Sequence, residues 1–156
     1  MRFFAFDRIT AAEKGRRMLA TKQVDLMDEY FSDHYPIKAV VPGTFIIEAL
    51  AQAGGMLNSL NHDFAVELVL VLIDGVHIHR QVYPGETLLL EVTMLYDHPY
   101  GASLKGEARV GDELVAQIES FAFAHEITTN SARIQQNYER FVYQGGGYIP
   151  VAEVKG

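Results

Sequence analysis

His34 and Glu48 offer the two halves of a proton transfer. An imidazole titrates near neutral pH and can take a proton. A carboxyl withdrawn from water is inclined to stay neutral and can give one. Glu48 interrupts a nearly apolar run, where an unpaired buried ionisable group costs on the order of several kcal/mol. Gln52 follows one helical turn later. Between the pair stands Pro42-Gly43. The first N–H groups of a helix lack intrahelical partners, and a glycine puts no side chain in front of them, so developing negative charge can be held there. Each residue also has a plainer reading. A histidine beside prolines can be an ordinary hydrogen-bonded loop residue, and Glu48 can pair with Arg80 or Arg109. Gln52 can serve structure by holding Glu48 or a loop carbonyl, and Thr44 can cap the helix or fill space.

These residues need elements to position them. Thr44–Leu60 is expected to be a helix, apolar nearly all round and therefore buried, with Thr44, Glu48 and Gln52 as its one polar line. Its small residues, Ala49, Ala51, Ala53, Gly54 and Gly55, allow close approach of other backbone. Residues 3–9 and 16–24 read as strands of a hairpin turning at 11–15, and 25–31 as a helical turn ahead of the histidine loop. After the helix the period changes to that of strands: 67–78, 86–96, 102–110 and 113–124. The turns fall at Tyr83-Pro84-Gly85, at 97–100 and at Gly111-Asp112. The last strand alternates imperfectly. Four long strands after one buried helix, with a hairpin before it, make an α+β arrangement in which an antiparallel sheet curls round the helix. Residues 1–124 form one domain. Residues 125–156 form an extension with a short helix over 132–143, broken by Gly145-Gly146-Gly147, that packs on the same domain or on a neighbouring subunit.

The bulk numbers fit one domain: 156 residues, 49% hydrophobic, 21% charged. With no cysteine, disulfides and thiolate metal sites are excluded, and a cytoplasmic location is expected. No signal peptide is evident, and the apolar runs are too interrupted to insert in a membrane. The net charge of −7 argues against nucleic acid as a partner. His77 and His79 alternate on a strand without a marked third ligand, so no metal or other cofactor is expected; His62, His98 and His125 sit in turns or ends without a role.

His34-Tyr35-Pro36, Pro42-Gly43, Glu48-Ala49 and Ala51-Gln52 resemble, in order and spacing, the bacterial 3-hydroxyacyl-[acyl-carrier-protein] dehydratases of type II fatty acid synthesis, the FabZ-like members of the hot-dog fold. The likeness extends to Asp7-Arg8-Ile9, Val82-Tyr83-Pro84-Gly85-Glu86 and Gly111-Asp112-Glu113-Leu114-Val115-Ala116, over roughly residues 2–124. The resemblance implies a hydro-lyase that makes a trans-2-enoyl thioester in fatty acid, lipid, polyketide or aryl polyene biosynthesis. His34 would be its base, Glu48 its acid, the Gly43 backbone its oxyanion donor, and Gln52 and Pro42 their supports. Tyr35, Phe45, Met56, Leu57 and Tyr100 are candidates for the acyl tunnel. The implied partners are acyl carrier protein and a second copy of the chain, with active sites shared across a homodimer and a trimer of dimers as a further form. Carrier proteins are acidic, and Arg16, Arg17, Lys22, Lys38, Arg80, Lys105 and Arg109 are candidates for docking them. The chain departs from the family at Ile37 and Ala39, where a glycine and a proline are usual. A hot-dog acyl thioesterase and a catalytically weak acyl-binding scaffold are the alternatives.

Overall fold

The computed structural model describes residues 4–33 and 37–143. His34, Tyr35 and Pro36 lie outside the described residues, as does the Gly145–Gly147 break. The elements, in chain order, are β1 (Arg8–Glu13), β2 (Arg17–Gln23), α1 (Tyr30–Asp33), α2 (Gly43–Asn61), β3 (Val66–Ile78), β4 (Thr87–His98), β5 (Gly101–Val110), β6 (Glu113–Ile127) and α3 (Ser131–Tyr143). The six strands form one sheet in the order β1-β2-β4-β5-β6-β3. Every neighbouring pair is antiparallel. The expected α+β arrangement, a sheet curled round one long helix, is what forms.

Helix α2 packs its buried face, including Ile46, Leu50, Ala53 and Leu57, against a core that includes Met18, Leu88, Leu90, Leu104 and Phe121. Its glycines set the depth of that packing. A Cβ on Gly54 would sit 2.5 Å from the Phe121 ring, so any larger residue there would push the helix off the sheet. On the sheet side, Gly106 leaves room for Leu50 in the same way, at 3.3 Å. The entry to α2 is fixed by the Val41 N–H donating to the Val82 carbonyl at 2.8 Å. That bond ties the Pro42-Gly43 turn to the β3–β4 connection.

The first hairpin is displaced from its expected place. The strand is Arg8–Glu13, not residues 3–9, and the turn falls at 14–16, where Gly15 takes φ +80°. Two contacts account for the shift. Phe6 is buried in the core, and the Ala5 N–H donates to the Gln52 side chain at 2.9 Å. The aromatic run is spent on packing under the sheet, not on a strand. Strand β6 runs to Ile127, across the expected domain boundary at 124/125.

The imperfect alternation of β6 has a structural cause. The pairing with β5 slips between Ala108 and Arg109 and again between Leu104 and Gly106. Each bulge adds one residue and reverses which parity faces inward. Val115 and Ala116 are consequently both buried, and Ile118, Phe121 and Phe123 share the core.

Candidate active site

Glu48 and Gln52 lie one turn apart on the face of α2 that escapes the core. The Gln52 Nε2 donates to Glu48 Oε1 at 2.9 Å. Its Oε1 accepts the Ala5 N–H. Gln52 thus fixes one carboxylate oxygen of Glu48 and ties the amino-terminal segment to it. The loop carbonyl considered as a partner for Gln52 is replaced here by a backbone N–H. Arg80 and Arg109 are committed elsewhere: Arg80 bonds Glu86 at 3.0 Å and Glu113 at 2.8 Å, and Arg109 bonds Glu107 at 2.8 Å. Glu48 itself is exposed in the single chain, which differs from the buried carboxylate expected of so apolar a helix. The burial of α2 is one-sided, and its Thr44–Glu48–Gln52 line faces outward.

Glu48 stands on the rim of a cleft of about 530 Å³, within the range of about 300–1,000 Å³ usual for small-molecule sites. α2 contributes Gln52, Gly55 and Met56 to one wall; Leu68, Leu70 and Phe123 contribute an apolar floor from β3 and β6. Phe4 also lines it, and so do Ile134 and Asn137 of α3. Of the side chains considered for an acyl tunnel, Met56 lines this cleft. Phe45, Leu57 and Tyr100 are not among its lining residues. Phe45 packs on Tyr30 with ring centroids 4.5 Å apart. Leu57 is fully buried in the core, and Tyr100 is 80% exposed on the β4–β5 turn. Tyr35 lies outside the described residues. Nothing in the sequence marks Phe4, Ile134 or Asn137 as a site residue, because each comes from a segment remote from Glu48 and no local spacing links them.

Pro42 precedes α2 and offers no side-chain cap, and no acidic residue occupies the first turn. The positive end of the helix is therefore not neutralised locally. Gly43 is its first residue, and a Cβ there would meet Ile78 at 3.4 Å. On the approach to this turn, Tyr30 of α1 holds Phe45 and donates its hydroxyl to Asp28 at 2.8 Å. Burial, reinforced by that carboxylate, pushes the Tyr30 hydroxyl well above its usual range, so it stays protonated. His34 follows α1 directly in the chain but lies outside the described residues.

The cations sort themselves by partner. Arg16 and Arg17 pair with Glu13, and Lys22 is buried between Asp7 and Asp28. Lys38 has no carboxylate partner among the described residues. It bonds the Tyr83 hydroxyl at 3.0 Å and sits 4.9 Å from the Tyr83 ring centroid, just ahead of Pro42-Gly43. Lys105 is exposed on β5.

Two histidines without a role in the sequence meet in the fold. His62, at the end of α2, bonds Asp97 at 2.7 Å and lies 4.5 Å from the His125 ring. His125 is held by Asn58 at 2.9 Å and by the Pro99 carbonyl at 3.1 Å. Ligand atoms of His62, Asp97 and His125 fall within 4.8 Å of one another. With both His125 nitrogens engaged, the group serves as a latch joining α2 to β4 and β6. Burial depresses the His125 imidazole below its usual range. His77 bonds Glu119 at 3.3 Å and stacks on His79.

A FabA-like domain model matches residues 1–119. The chain is 38% identical over 126 residues to the 3-hydroxyacyl-[acyl-carrier-protein] dehydratase FabZ of Acidovorax sp. (strain JS42), covering 75% of this chain and 83% of that one. It is 38% identical over 133 residues to the FabZ of Symbiobacterium thermophilum, covering 84% and 94%. Among solved structures, smu.793 of Streptococcus mutans bound to acetyl CoA superposes with a TM-score of 0.65 at 18% identity, over 82% of this chain and 94% of that one. The dehydratase heterocomplex ApeI:P of Xenorhabdus doucetiae gives 0.65 at 15% identity, over 85% and 89%. The two superpositions speak for the hot-dog fold.

Proposed function

The chain belongs to the FabA-like family together with the FabZ dehydratases, and from that premise we propose that it dehydrates 3-hydroxyacyl-[acyl-carrier-protein] to the trans-2-enoyl thioester in fatty acid biosynthesis. The observation that carries the reading is Glu48, held by Gln52 on the rim of a cleft with an apolar floor.

The reaction has three requirements, and the chain has a group for each. His34 removes a proton from the carbon next to the thioester carbonyl. The electron pair left behind forms the new double bond as the β hydroxyl departs. Glu48 gives that hydroxyl a proton, so it leaves as water. The negative charge growing on the thioester oxygen meets the start of α2, where the Gly43 N–H can donate and no side chain intervenes. Solvent takes the proton from the imidazolium and restores the one lost by Glu48. No step calls for a metal or cofactor.

Glu48 must be neutral to act, which removal from water favours. A second copy can supply that cover. Strand β3 ends the sheet and exposes Val69, Val71, Leu72, Val76 and Ile78 along its 13 residues. An open apolar edge of this length invites a partner. Pairing β3 with its own copy would continue the sheet and bring a partner beside Glu48, so that each site takes its acid from one protomer and its base from the other. A trimer of such dimers is the larger form this scheme allows. Lys38, beside the helix start, is the cation best placed to meet an acidic carrier protein. Strands β1–β6 with α1 and α2 make the hot-dog domain, and α3 packs on it through Tyr138, whose ring lies 5.3 Å from that of Phe64.

Purified protein given a 3-hydroxyacyl carrier protein or thioester should release enoyl product. Free thiol with free acid would identify a thioesterase, and binding without turnover a scaffold. His34→Ala and Glu48→Gln are each expected to lower the rate by about 10²–10⁴-fold. Full activity in both would reject the assignment.

A further inference from the structure

Helix α3 begins 12 residues beyond the end of the FabA-like match, at 131 against 119, yet it reaches the cleft beside Glu48. Ile134 and Asn137 lie three residues apart on one helical face, and both line that cleft. Tyr138 extends the same face and is buried against Phe64.

Both ends of the helix are pinned. At its start, the Thr128 hydroxyl and the Asn130 amide donate to Glu67 at 2.6 and 3.2 Å. The Thr128 N–H donates to the Ala65 carbonyl at 3.2 Å. Near its end, the Arg140 guanidinium lies 5.4 Å from the centre of the Phe4 ring, and Phe4 is itself a lining residue. The cleft runs along α2 from Glu48 to Ser59, about 16 Å of helix axis. Its floor is apolar and its rim holds the acid, which suits an acyl chain whose reacting end lies at Glu48.

We infer that α3 is a wall of the acyl-binding cleft and that Ile134 sets how long a chain the cleft accepts. The inference rests on the dehydratase reading for its substrate class. Ile134 is a specificity-determining residue: it meets the hydrocarbon and takes no part in the proton transfers. Shortening it opens the wall without disturbing Glu48 or Gln52. Enlarging it closes the wall on the longer chains first.

The test is a ladder of 3-hydroxyacyl thioesters of increasing length, assayed with the full chain and with Ile134→Ala and Ile134→Phe. One or two methylenes in an apolar pocket change discrimination by about tenfold or more. Ile134→Ala should raise kcat/KM for the longest chains by about tenfold relative to the shortest, and Ile134→Phe should lower it by a similar factor. The shortest substrate should be affected least in both variants. Equal effects at every length, or none, would overturn the inference, and a merely structural role would give such a uniform change. If the unaltered chain dehydrates no member of the ladder, the dehydratase reading fails on its own. Titration of the same three proteins with saturated acyl thioesters then decides the wall. A length-dependent shift in Kd of opposite sign in the two variants supports it, and parallel affinities reject it.

Discussion

The sheet has two edges, and they are built in opposite ways. Strand β1 is six residues long, slips register between Ile9 and Ala11, and carries Arg8 and Glu13 at its ends. Strand β3 is 13 residues long and exposes apolar side chains along most of its length. Short, irregular, charged edges resist pairing with other strands. A long apolar edge does the reverse. One molecule thus defends one edge and leaves the other open to a partner.

The largest effect should come from breaking that asymmetry. Leu72→Lys puts a charge where β3 would meet its copy, and burying it unpaired costs on the order of several kcal/mol. The variant should sediment as a monomer at micromolar concentration and lose dehydratase activity. Thr10→Lys, on the β1 edge, should change neither. Equal mass for all three proteins would dispose of the contrast.

Glycines sharpen it next. Gly75 in β3 has φ +67°, and a Cβ there would lie 2.7 Å from that of Glu119. Gly15, at the β1–β2 turn, has φ +80° with nothing within 4 Å of the added atom. Gly75→Ala should therefore lose about 2–3 kcal/mol in urea denaturation, from conformation and crowding together. Gly15→Ala should lose about 1 kcal/mol, from conformation alone. Equal losses would mean that the β3 backbone gives way to the added methyl.

The smallest effect is a pH dependence on the β3 side. His125, paired with Leu68 of β3, has a folded-state pKa below its ordinary value because burial opposes its charge. The unfolded chain therefore binds the proton more readily. The neutral histidine contributes fully above about pH 6.5, and that contribution fades as the pH falls from there toward the folded pKa. Thermal melts should show Tm falling over this window, and His125→Gln should flatten that part of the profile. Glu86, held down chiefly by its bond to Arg80, adds a separate loss only at more acid pH, below the usual glutamate range. A profile unaltered by His125→Gln would remove the histidine from the account.

How much could be read without the fold follows from how local each signal is. Helix α2 was expected over 44–60 and occupies 43–61, because proline, glycine and a long apolar run mark it within a few residues. The β5–β6 hairpin was equally plain from Gly111-Asp112. The first strand was misplaced because Phe4 and Phe6 look like strand residues until Gln52, in the neighbouring helix, claims the Ala5 N–H. Lys22 reads as a surface cation, yet Asp7 and Asp28 enclose it. The site divides in the same manner. Glu48 and Gln52 were legible as one turn of one helix. The far wall from α3 and the latch of His62, Asp97 and His125 were not, since each joins segments that only the folded chain brings together.

The chain from Ala5 through Gln52 to Glu48 has a practical side. Phe4 and Arg140 meet beside the same cleft, so the amino-terminal strand leader and the last helix converge on one place. A substitution made in either segment is made beside the cleft, so its rate is best compared with that of the unaltered chain before any effect is credited to a distant cause.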